Sequence, residues 1–409
     1  MPQTVTRDVR DSTGPIWALG LMSGTSMDGV DAAFVRTDGE VIVETGPALT
    51  LPYESETREA IRRLLGTPPG RSRGAVATLE HNLTLAHLRA IDLLRQQAPM
   101  TPEVIGFHGH TLWHDPANRV TVQIGDGALL AAMTGVPVVN DFRSRDVAQG
   151  GQGAPLAPAC HAALVQGLPK DASGDPVGER GLAVLNLGGV GNVTWVPSRV
   201  GAGANQPPVA FDTGPGNALI DDWVEARLGQ PMDKDGALAA QGTVDPVVLA
   251  ALLDHPYFRQ PAPKSLDRDA FSLEPLAGLS DADGAATLVA FTAESVARSL
   301  VWFPDGPRRW LVCGGGRRNP VLMAALEKSL NAAMTESKEA AVGKVVTVAP
   351  VETVGWDGDA LEAQAFGLLA VRSLRNLPLS WPTTTGCPAP MTGGVFWAPP
   401  VGSEAVAGP

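Results

Sequence analysis

Two stretches of the chain follow one pattern, in which an apolar strand leads through a glycine-rich polar turn into a second strand. The first covers residues 16–37 and contains the turn SGTSMDG, and the second, GLAVLNLGGVGNVTWVP, covers residues 181–197. A third glycine turn, in CGGGRRNP, follows an apolar strand and leads into a helix. This repetition predicts an internal duplication, with two related lobes that close on one ligand.

The segments between these turns read as an α/β protein. A third strand begins at residue 41, and apolar spacing predicts helices over residues 55–66 and 75–97. The short β-rich runs VIGFHGH and GVPVVNDF end in polar loops, as in parallel sheets whose sites lie at the strand ends. Polar loops are expected at 169–180 and 198–208. We predict an N-terminal lobe over residues 1–145, a C-terminal lobe over 146–385 whose final helix returns to the first lobe, and a loosely held Pro/Gly-rich tail over 386–409.

Length and charge narrow the function classes. A chain of 409 residues is too long for one simple core, so two domains are expected. The net charge of -12 argues against a nucleic-acid partner, which needs a basic surface. The three cysteines have no metal-ligand spacing, and no run reaches membrane-spanning length. We therefore expect a soluble, cytoplasmic protein that does not act at a membrane.

The turn SGTSMDG combines hydroxyls with backbone N–H groups, which suits phosphate oxygens. The alternative is an ordinary turn held by its own side-chain hydrogen bonds. Asp28 would repel phosphates unless Mg²⁺ lay between them, so it is a candidate magnesium contact, either directly or through water. The turns in NLGGVGN and CGGGRRNP strengthen the case for a bound phosphate and nucleoside, because three such turns are less easily explained than one.

Two carboxylates are candidates for catalysis. Asp212 lies on a rigid Gly-Pro-Gly loop in FDTGPGNALIDDW and can accept a proton. It could instead cap the following helix, although Thr213 or Asn217 could do that equally well. Glu362 lies one helical turn before Phe366, so we expect it to point inward, which is costly unless it is paired or functional.

The run GFHGHTLWHDP carries His108, His110 and His114. A His-x-His pattern is compatible with a metal hydrolase, but no His or Asp partner set elsewhere completes it. A substrate-contacting loop at a strand end is the favoured interpretation.

In DFRSRDVAQGGQG, Arg143 and Arg145 could bind a carboxylate or phosphate in a bidentate manner. They could equally pair with Asp141 and Asp146 and stiffen the loop, and both interpretations stay open.

Nine motifs between residues 16 and 371 resemble, in the same order, those of the anhydro-N-acetylmuramic acid kinases: GLMSGTSMDGVDAAFV, HGHTLWHDP, VTVQIGDGALLA, DFRSRDVAQGGQGAPLAP, NLGGVGNVT, FDTGPGNALID, QPAPKSLDRDAF, VCGGGRRNPVLM and DALEAQAFGLLA. The resemblance implies a two-lobed actin/hexokinase/Hsp70-like (ribonuclease H-like) fold, with duplicated β-cores and an interlobe cleft. An ATP-binding chaperone-like or regulatory module of the same fold is the alternative.

The resemblance also implies the reaction. The family uses ATP and Mg²⁺ to phosphorylate O6 of 1,6-anhydro-N-acetylmuramic acid while water opens the anhydro bridge, a step of peptidoglycan recycling. The family's base matches Asp212, and Glu362 matches a second carboxylate near the sugar. A homodimer is the assembly that the family suggests.

The remaining site residues are also implied by the resemblance. The ATP contacts are expected at Ser23, Gly24, Thr25, Ser26, Met27, Asp28, Gly29, Val30, Asp31, Gly188, Gly189, Asn192, Gly314, Gly315, Gly316 and Asn319. The sugar contacts are expected at His108, Thr111, Gln123, Gly125, Asp126, Arg143, Gly214, Gly216 and Asn217.

The chain departs from the usual family pattern at three places. His110 replaces a usual Gln, Met232 a usual Tyr, and Leu266-Asp267 a usual Thr-Gly. These changes concern the expected sugar contacts near residues 110 and 266 rather than the nucleotide site.

Overall fold

The computed structural model describes residues 9–24, 27–168, 181–198, 206–336 and 345–400. The chain divides into two compact units, the first formed by residues 1–167 and 360–409 and the second by residues 168–359. The boundary therefore lies at residue 167 rather than at 145 as predicted. The expected loop 169–180 and most of 198–208 lie outside the described residues.

The secondary structure alternates as expected for an α/β chain. The strands are β1 (Ile16–Met22), β2 (Gly29–Thr37), β3 (Ile42–Pro52), β4 (Val104–Phe107), β5 (His110–Asp115), β6 (Val120–Ile124), β7 (Val138–Asn140), β8 (Leu182–Leu187), β9 (Val190–Val196), β10 (Val209–Pro215), β11 (Arg309–Cys313), β12 (Thr347–Pro350) and β13 (Val395–Trp397). The helices are α1 (Ser55–Leu64), α2 (Arg73–Gln97), α3 (Gly127–Thr134), α4 (Ser144–Ala148), α5 (Ala157–Gly167), α6 (Ala218–Leu228), α7 (Pro246–Leu253), α8 (Asp281–Arg298), α9 (Pro320–Glu336), α10 (Leu361–Leu374) and α11 (Pro382–Thr385).

The sheets of the two units share one topology. The first unit has the strand order β13-β7-β4-β1-β2-β3, and the second has β10-β9-β8-β11-β12. In each, three consecutive strands form an antiparallel meander, and two later strands add in parallel beside the first strand of the meander. This repetition confirms the predicted α/β class and the duplicated β-cores.

Each sheet has its own apolar core. In the first unit, buried residues such as Phe34 and Phe107 pack against Leu83 of α2. In the second unit, Trp195 and Trp310 lie in one buried cluster with residues of α8. Burial of each large side chain contributes roughly 1.5–3 kcal/mol to the free energy of folding, so these two clusters stabilise the sheets from which the glycine-rich turns extend.

Helix α10 packs unusually close to the first sheet because glycines face it. A Cβ on Gly20 of β1 would lie 1.7 Å from the carbonyl oxygen of Ala363, and one on Gly106 of β4 would lie 1.9 Å from that of Phe366. Only glycine leaves room for the helix backbone at these two points. The contact fixes the N-terminal half of α10, which includes Glu362, against β1 and β4.

Residues 386–400 pack against the first unit and do not form the loosely held tail that was predicted. Strand β13 pairs with β7, and the Trp397 indole donates to Asn140 Oδ1 over 2.9 Å. Cys387 is buried, and the Asp146 carboxylate accepts hydrogen bonds from Ser380 and Thr385. The prediction failed because these partners are more than 200 residues away in sequence; residues 401–409 lie outside the described part.

Among the described helices, none by itself combines the length and apolar character needed to cross a bilayer; a sharply bent pair, 234–241 with 246–253, meets those two criteria jointly.

Candidate functional site

Three of the predicted turns meet in the second unit. Asn217 N–H donates to Gly188 O over 2.7 Å, and Gly216 N–H donates to Gly189 O over 3.0 Å. A Cβ on Gly216 would lie 2.2 Å from Gly188 O, so this contact needs glycine. The Gly-Pro-Gly loop therefore packs directly on the turn between β8 and β9.

The third turn, 314–316, contacts the same cluster. Gly314 has a φ of 74°, and a Cβ there would lie 2.3 Å from Asn186 Oδ1. A Cβ on Gly315 would lie 3.6 Å from Asn217 Nδ2. The structure thus brings together the predicted Gly188, Gly189, Gly214, Gly216, Asn217 and Gly314–Gly316 in one turn cluster.

A row of polar residues crosses the second sheet beside this turn cluster. Asn192 in β9 lies opposite both Asn186 in β8 and Asp212 in β10. Directly opposed residues on neighbouring antiparallel strands point to the same face, so the three side chains form one polar strip. All three are partly exposed, which leaves them accessible to a ligand.

Asp212 is held at three points. Its Oδ2 accepts from Leu266 N–H over 2.7 Å, its backbone N–H donates to Lys264 O over 3.0 Å, and its carbonyl oxygen accepts from the Tyr257 hydroxyl over 2.5 Å. Burial raises the pKa of the Asp212 carboxyl to about 6, the Leu266 N–H lowers it, and the Asp267 charge raises it. Such a carboxylate is oriented and sufficiently basic to take a proton near neutral pH.

The alternative role of Asp212 as a helix cap is not found. The residue before α6 is Asn217, and that position shows no side-chain capping bond. Thr213 instead donates to Gly191 O over 3.1 Å. Capping is seen at Asn319, whose Oδ1 accepts from Val321 and Leu322 N–H at the start of α9. The nucleotide contact expected of Asn319 would thus have to use its amide nitrogen.

The first glycine turn follows β1 in the first unit. Ser23 is buried, whereas Asp28 is exposed and its carbonyl oxygen accepts from Tyr53 N–H over 3.0 Å. Thr25 and Ser26 lie outside the described residues. Gly29 pairs opposite Pro52, and a Cβ there would lie 2.4 Å from Leu51 O. The turn is therefore anchored on the β2–β3 hairpin, while the Asp28 side chain remains accessible.

Glu362 belongs to a group of charged residues in the same unit. Residue 362 is solvent-accessible, so its carboxylate can be reached by a ligand. The protein around it nevertheless raises its pKa, first by desolvation and then through Asp31, while Arg143 lowers it. Asp31 itself accepts from the Thr50 hydroxyl over 2.5 Å.

Arg143 donates to two partners and pairs with neither Asp141 nor Asp146. Its Nε and Nη2 lie 3.1 Å from His108 Nε2, and its Nη1 lies 2.7 Å from Gly153 O. His108 Nδ1 must then carry the proton that bonds Gly109 O over 2.9 Å. Burial holds the pKa of His108 well below its usual value, and Arg143 lowers it further, so the ring is neutral.

The three histidines of GFHGHTLWHDP have separate partners. His110 Nδ1 lies 2.9 Å from Ser23 Oγ, which accepts from the Tyr53 hydroxyl over 2.7 Å, and His114 Nδ1 lies 3.0 Å from Thr121 Oγ1. Across the described ranges, no three His, Cys, Asp or Glu side chains are arranged to hold a metal. The role of this loop as a substrate contact stays a prediction.

The other predicted sugar contacts lie on the β5–β6 hairpin and just after it. Gln123 Nε2 donates to Thr111 Oγ1 over 3.2 Å, and its Oε1 is buried with no partner among the described residues. Asp126 instead caps α3 by accepting from Leu129 N–H over 2.8 Å, and Gly125 N–H donates to Glu80 Oε1 over 3.0 Å. Both contacts help to hold the segment in place, and the sugar contacts at Thr111, Gln123, Gly125 and Asp126 stay predictions.

Several residues that position the site are not among the predicted site residues. Tyr53 supports the first turn, and Tyr257, Lys264 and the Leu266 N–H hold Asp212. Lys264 and Leu266 belong to the motif QPAPKSLDRDAF, for which the resemblance implies sugar contacts near residue 266 rather than support of Asp212. The two bonds from this motif to Asp212 span 52 and 54 residues in sequence, which no local pattern reveals.

Comparison with known proteins shows the family of this chain. A family model described as anhydro-N-acetylmuramic acid kinase matches residues 17–399. A protein of that name from Rhodospirillum rubrum is 61% identical over 402 residues, which cover 98% of this chain and 100% of the relative. One from Paramagnetospirillum magneticum is 52% identical and covers 93% and 99%. Among solved structures, a ligand-bound xylulose kinase from Lactobacillus acidophilus matches with a TM-score of 0.44 at 9% identity, covering 94% of each chain. The chain belongs to the anhydro-N-acetylmuramic acid kinase family.

Proposed function

We propose that this protein is an ATP-dependent kinase that opens 1,6-anhydro-N-acetylmuramic acid with water and phosphorylates O6, giving N-acetylmuramic acid 6-phosphate and ADP. Family membership over nearly the whole chain supports the substrate and the reaction. The observation that carries the chemistry is the fixed Asp212 carboxylate beside the turn cluster. The reaction would serve peptidoglycan recycling in the cytoplasm.

The reaction needs a base for a specific reason. O6 is part of the anhydro ether and carries no proton that a base could remove. The base must therefore remove a proton from the attacking water. Asp212 takes that proton as the water oxygen bonds to C1 and the C1–O6 bond breaks. O6 then bonds to the γ-phosphorus of ATP as the bond to the leaving ADP oxygen breaks. The raised pKa of Asp212, about 6, suits a base that works near neutral pH.

Residues of the first unit supply the remaining roles in this proposal. Arg143 stays protonated at neutral pH, since burial lowers its pKa only to about 10. Its guanidinium, next to neutral His108, suits the carboxylate of the muramic acid's lactyl group. Glu362 lies near enough to Arg143 for their charges to interact, and we assign it the orientation of the sugar or the water.

Magnesium belongs to the proposal as well. Asp28 offers an exposed carboxylate directly after the first glycine turn, and such oxygens are the ligands that Mg²⁺ prefers alongside phosphates and water. A bound Mg²⁺ would neutralise part of the phosphate charge. Asp28 would hold it, directly or through water, while the N–H groups of Gly188 and Gly189 bind phosphate oxygens. A homodimer stays an expectation from the family.

An ADP-release assay with and without the anhydro sugar tests the proposal. We expect ADP release to depend on the sugar, with slow release in its absence. Sugar-independent ATP hydrolysis at an unchanged rate would contradict the kinase and favour the regulatory alternative.

A further inference from the structure

Arg268 lies beside the second glycine turn and has no role in the site as described so far. A Cβ on Gly189 would lie 3.7 Å from Arg268 Nε and 3.8 Å from its Cδ. Both Gly189 and Arg268 are exposed. The guanidinium therefore borders the face of the turn on which phosphate oxygens are expected.

An ion pair fixes the direction of this side chain. Arg268 Nη2 lies 2.7 Å from Asp222 Oδ1 of α6, and Nη1 lies 3.9 Å from Asp269 Oδ1. The Arg268 side chain is 55% exposed, so these pairs add little to stability. They orient a long side chain that would otherwise sample many rotamers. In the described part of the chain, the Nε hydrogen next to Gly189 has no hydrogen-bond partner.

The same short segment holds the proposed base. Lys264 O and Leu266 N–H bond the backbone and the carboxylate of Asp212, and Arg268 follows two residues later. Segment 264–268 therefore connects Asp212 with the glycine turn. A shift of this segment would move the base and the cation together.

We propose that Arg268 contacts the phosphate chain of ATP and stabilises the charge of the transferring phosphoryl group. The inference rests on the proposed function. The planar guanidinium suits phosphate oxygens better than an ammonium does. Arg268 exchanges no proton in this step. The bond from the γ-phosphorus to the ADP oxygen breaks and the bond from the γ-phosphorus to O6 forms. The positive charge of the guanidinium stabilises the negative charge on the phosphate oxygens in the transition state.

The test compares Arg268→Gln and Arg268→Lys with a matched control. Arg259 provides the control, because it is also exposed and pairs with an exposed aspartate, Asp254, over 2.8 Å. For each variant, kcat, the KM for ATP, the Kd for ADP and the melting temperature are measured. We expect Arg268→Gln to lower kcat roughly 10²- to 10³-fold. Its Kd for ADP should stay within about threefold, because ADP lacks the phosphoryl group whose transition-state charge Arg268 is proposed to stabilise.

We expect Arg268→Lys to recover part of kcat, and Arg259→Gln to match the wild type. The inference is overturned if Arg268→Gln keeps kcat within about threefold of the wild type. It is also overturned if kcat, ADP affinity and melting temperature fall together in both Arg268 variants, because that indicates a structural role. A wild type that forms no sugar phosphate would overturn the proposed function itself, whereas an active wild type with a fully active Arg268→Gln variant overturns this inference alone.

Discussion

Replacing the proposed base should make the protein more stable while removing its activity. Burial raises the pKa of Asp212 from 3.8 to about 6, which means that the charged form is disfavoured in the folded state. The difference in pKa corresponds to about 3 kcal/mol of folding free energy lost when Asp212 is ionised, since each pKa unit is worth about 1.4 kcal/mol. This loss of stability is absent below pH 3.8, grows between about pH 4 and 6, and reaches its full size above pH 6.

Asp212→Asn removes this charge and keeps an oxygen that accepts from Leu266 N–H. We therefore expect the free energy of unfolding to rise by about 3 kcal/mol at pH 8 and by only about 1 kcal/mol at pH 4.5. In a unit of this size, about 3 kcal/mol raises the melting temperature by about 6–12 °C. Turnover with the anhydro sugar should fall about 10²- to 10⁴-fold.

Melting temperatures of the wild type and Asp212→Asn at both pH values measure the effect. Asp269→Asn is the control, since its side chain is 92% exposed and should show no pH-dependent gain. Equal melting temperatures of wild type and Asp212→Asn at pH 8, or a gain of the same size at both pH values, would refute the electrostatic argument. Wild-type turnover in Asp212→Asn would refute its assignment as the base.

Three further predictions concern the same sites. The wild-type kcat/KM should fall as pH drops through about 6, which gives the acidic limb of a pH–rate profile. Asp267→Asn should move this acidic limb to lower pH, because the Asp267 charge raises the pKa of Asp212. An acidic limb that does not move would count against this coupling. Gly106→Ala should destabilise the first unit by about 2–3 kcal/mol in thermal unfolding, since its Cβ would meet Phe366 O, and an unchanged melting temperature would mean that α10 can shift freely. Glu362→Gln should lower kcat at least about tenfold in steady-state assays with the anhydro sugar while the Kd for ADP is kept; an unchanged kcat would remove Glu362 from the chemistry.

The local parts of the fold followed from the sequence. The first turn was bounded correctly to within a residue, because strands β1 and β2 are apolar on either side of a polar, glycine-rich stretch. The second hairpin, 181–197, was equally clear for the same reason. Apolar periodicity also located α1 and α2. In these segments the information that sets the structure lies in neighbouring residues.

The long-range contacts could not be predicted in this way. Nothing near Gly20 or Gly106 indicates that α10 will pack on them from more than 250 residues away. Likewise, the pairing of β13 with β7 joins two three-residue strands that are far apart in sequence, and the composition of neither strand identifies the other as its partner. The pKa of Asp212 depends on Leu266 and Asp267, which only the folded chain brings near it.

The mass of the product tests the central claim most directly. With ATP and 1,6-anhydro-N-acetylmuramic acid, the proposed reaction adds one phosphoryl group and one water to the sugar. In ¹⁸O-labelled water the heavy oxygen should appear at C1 of the sugar, with none in the phosphate. A product that carries the phosphoryl group without water, or ¹⁸O found in the phosphate instead of at C1, would contradict the coupled mechanism.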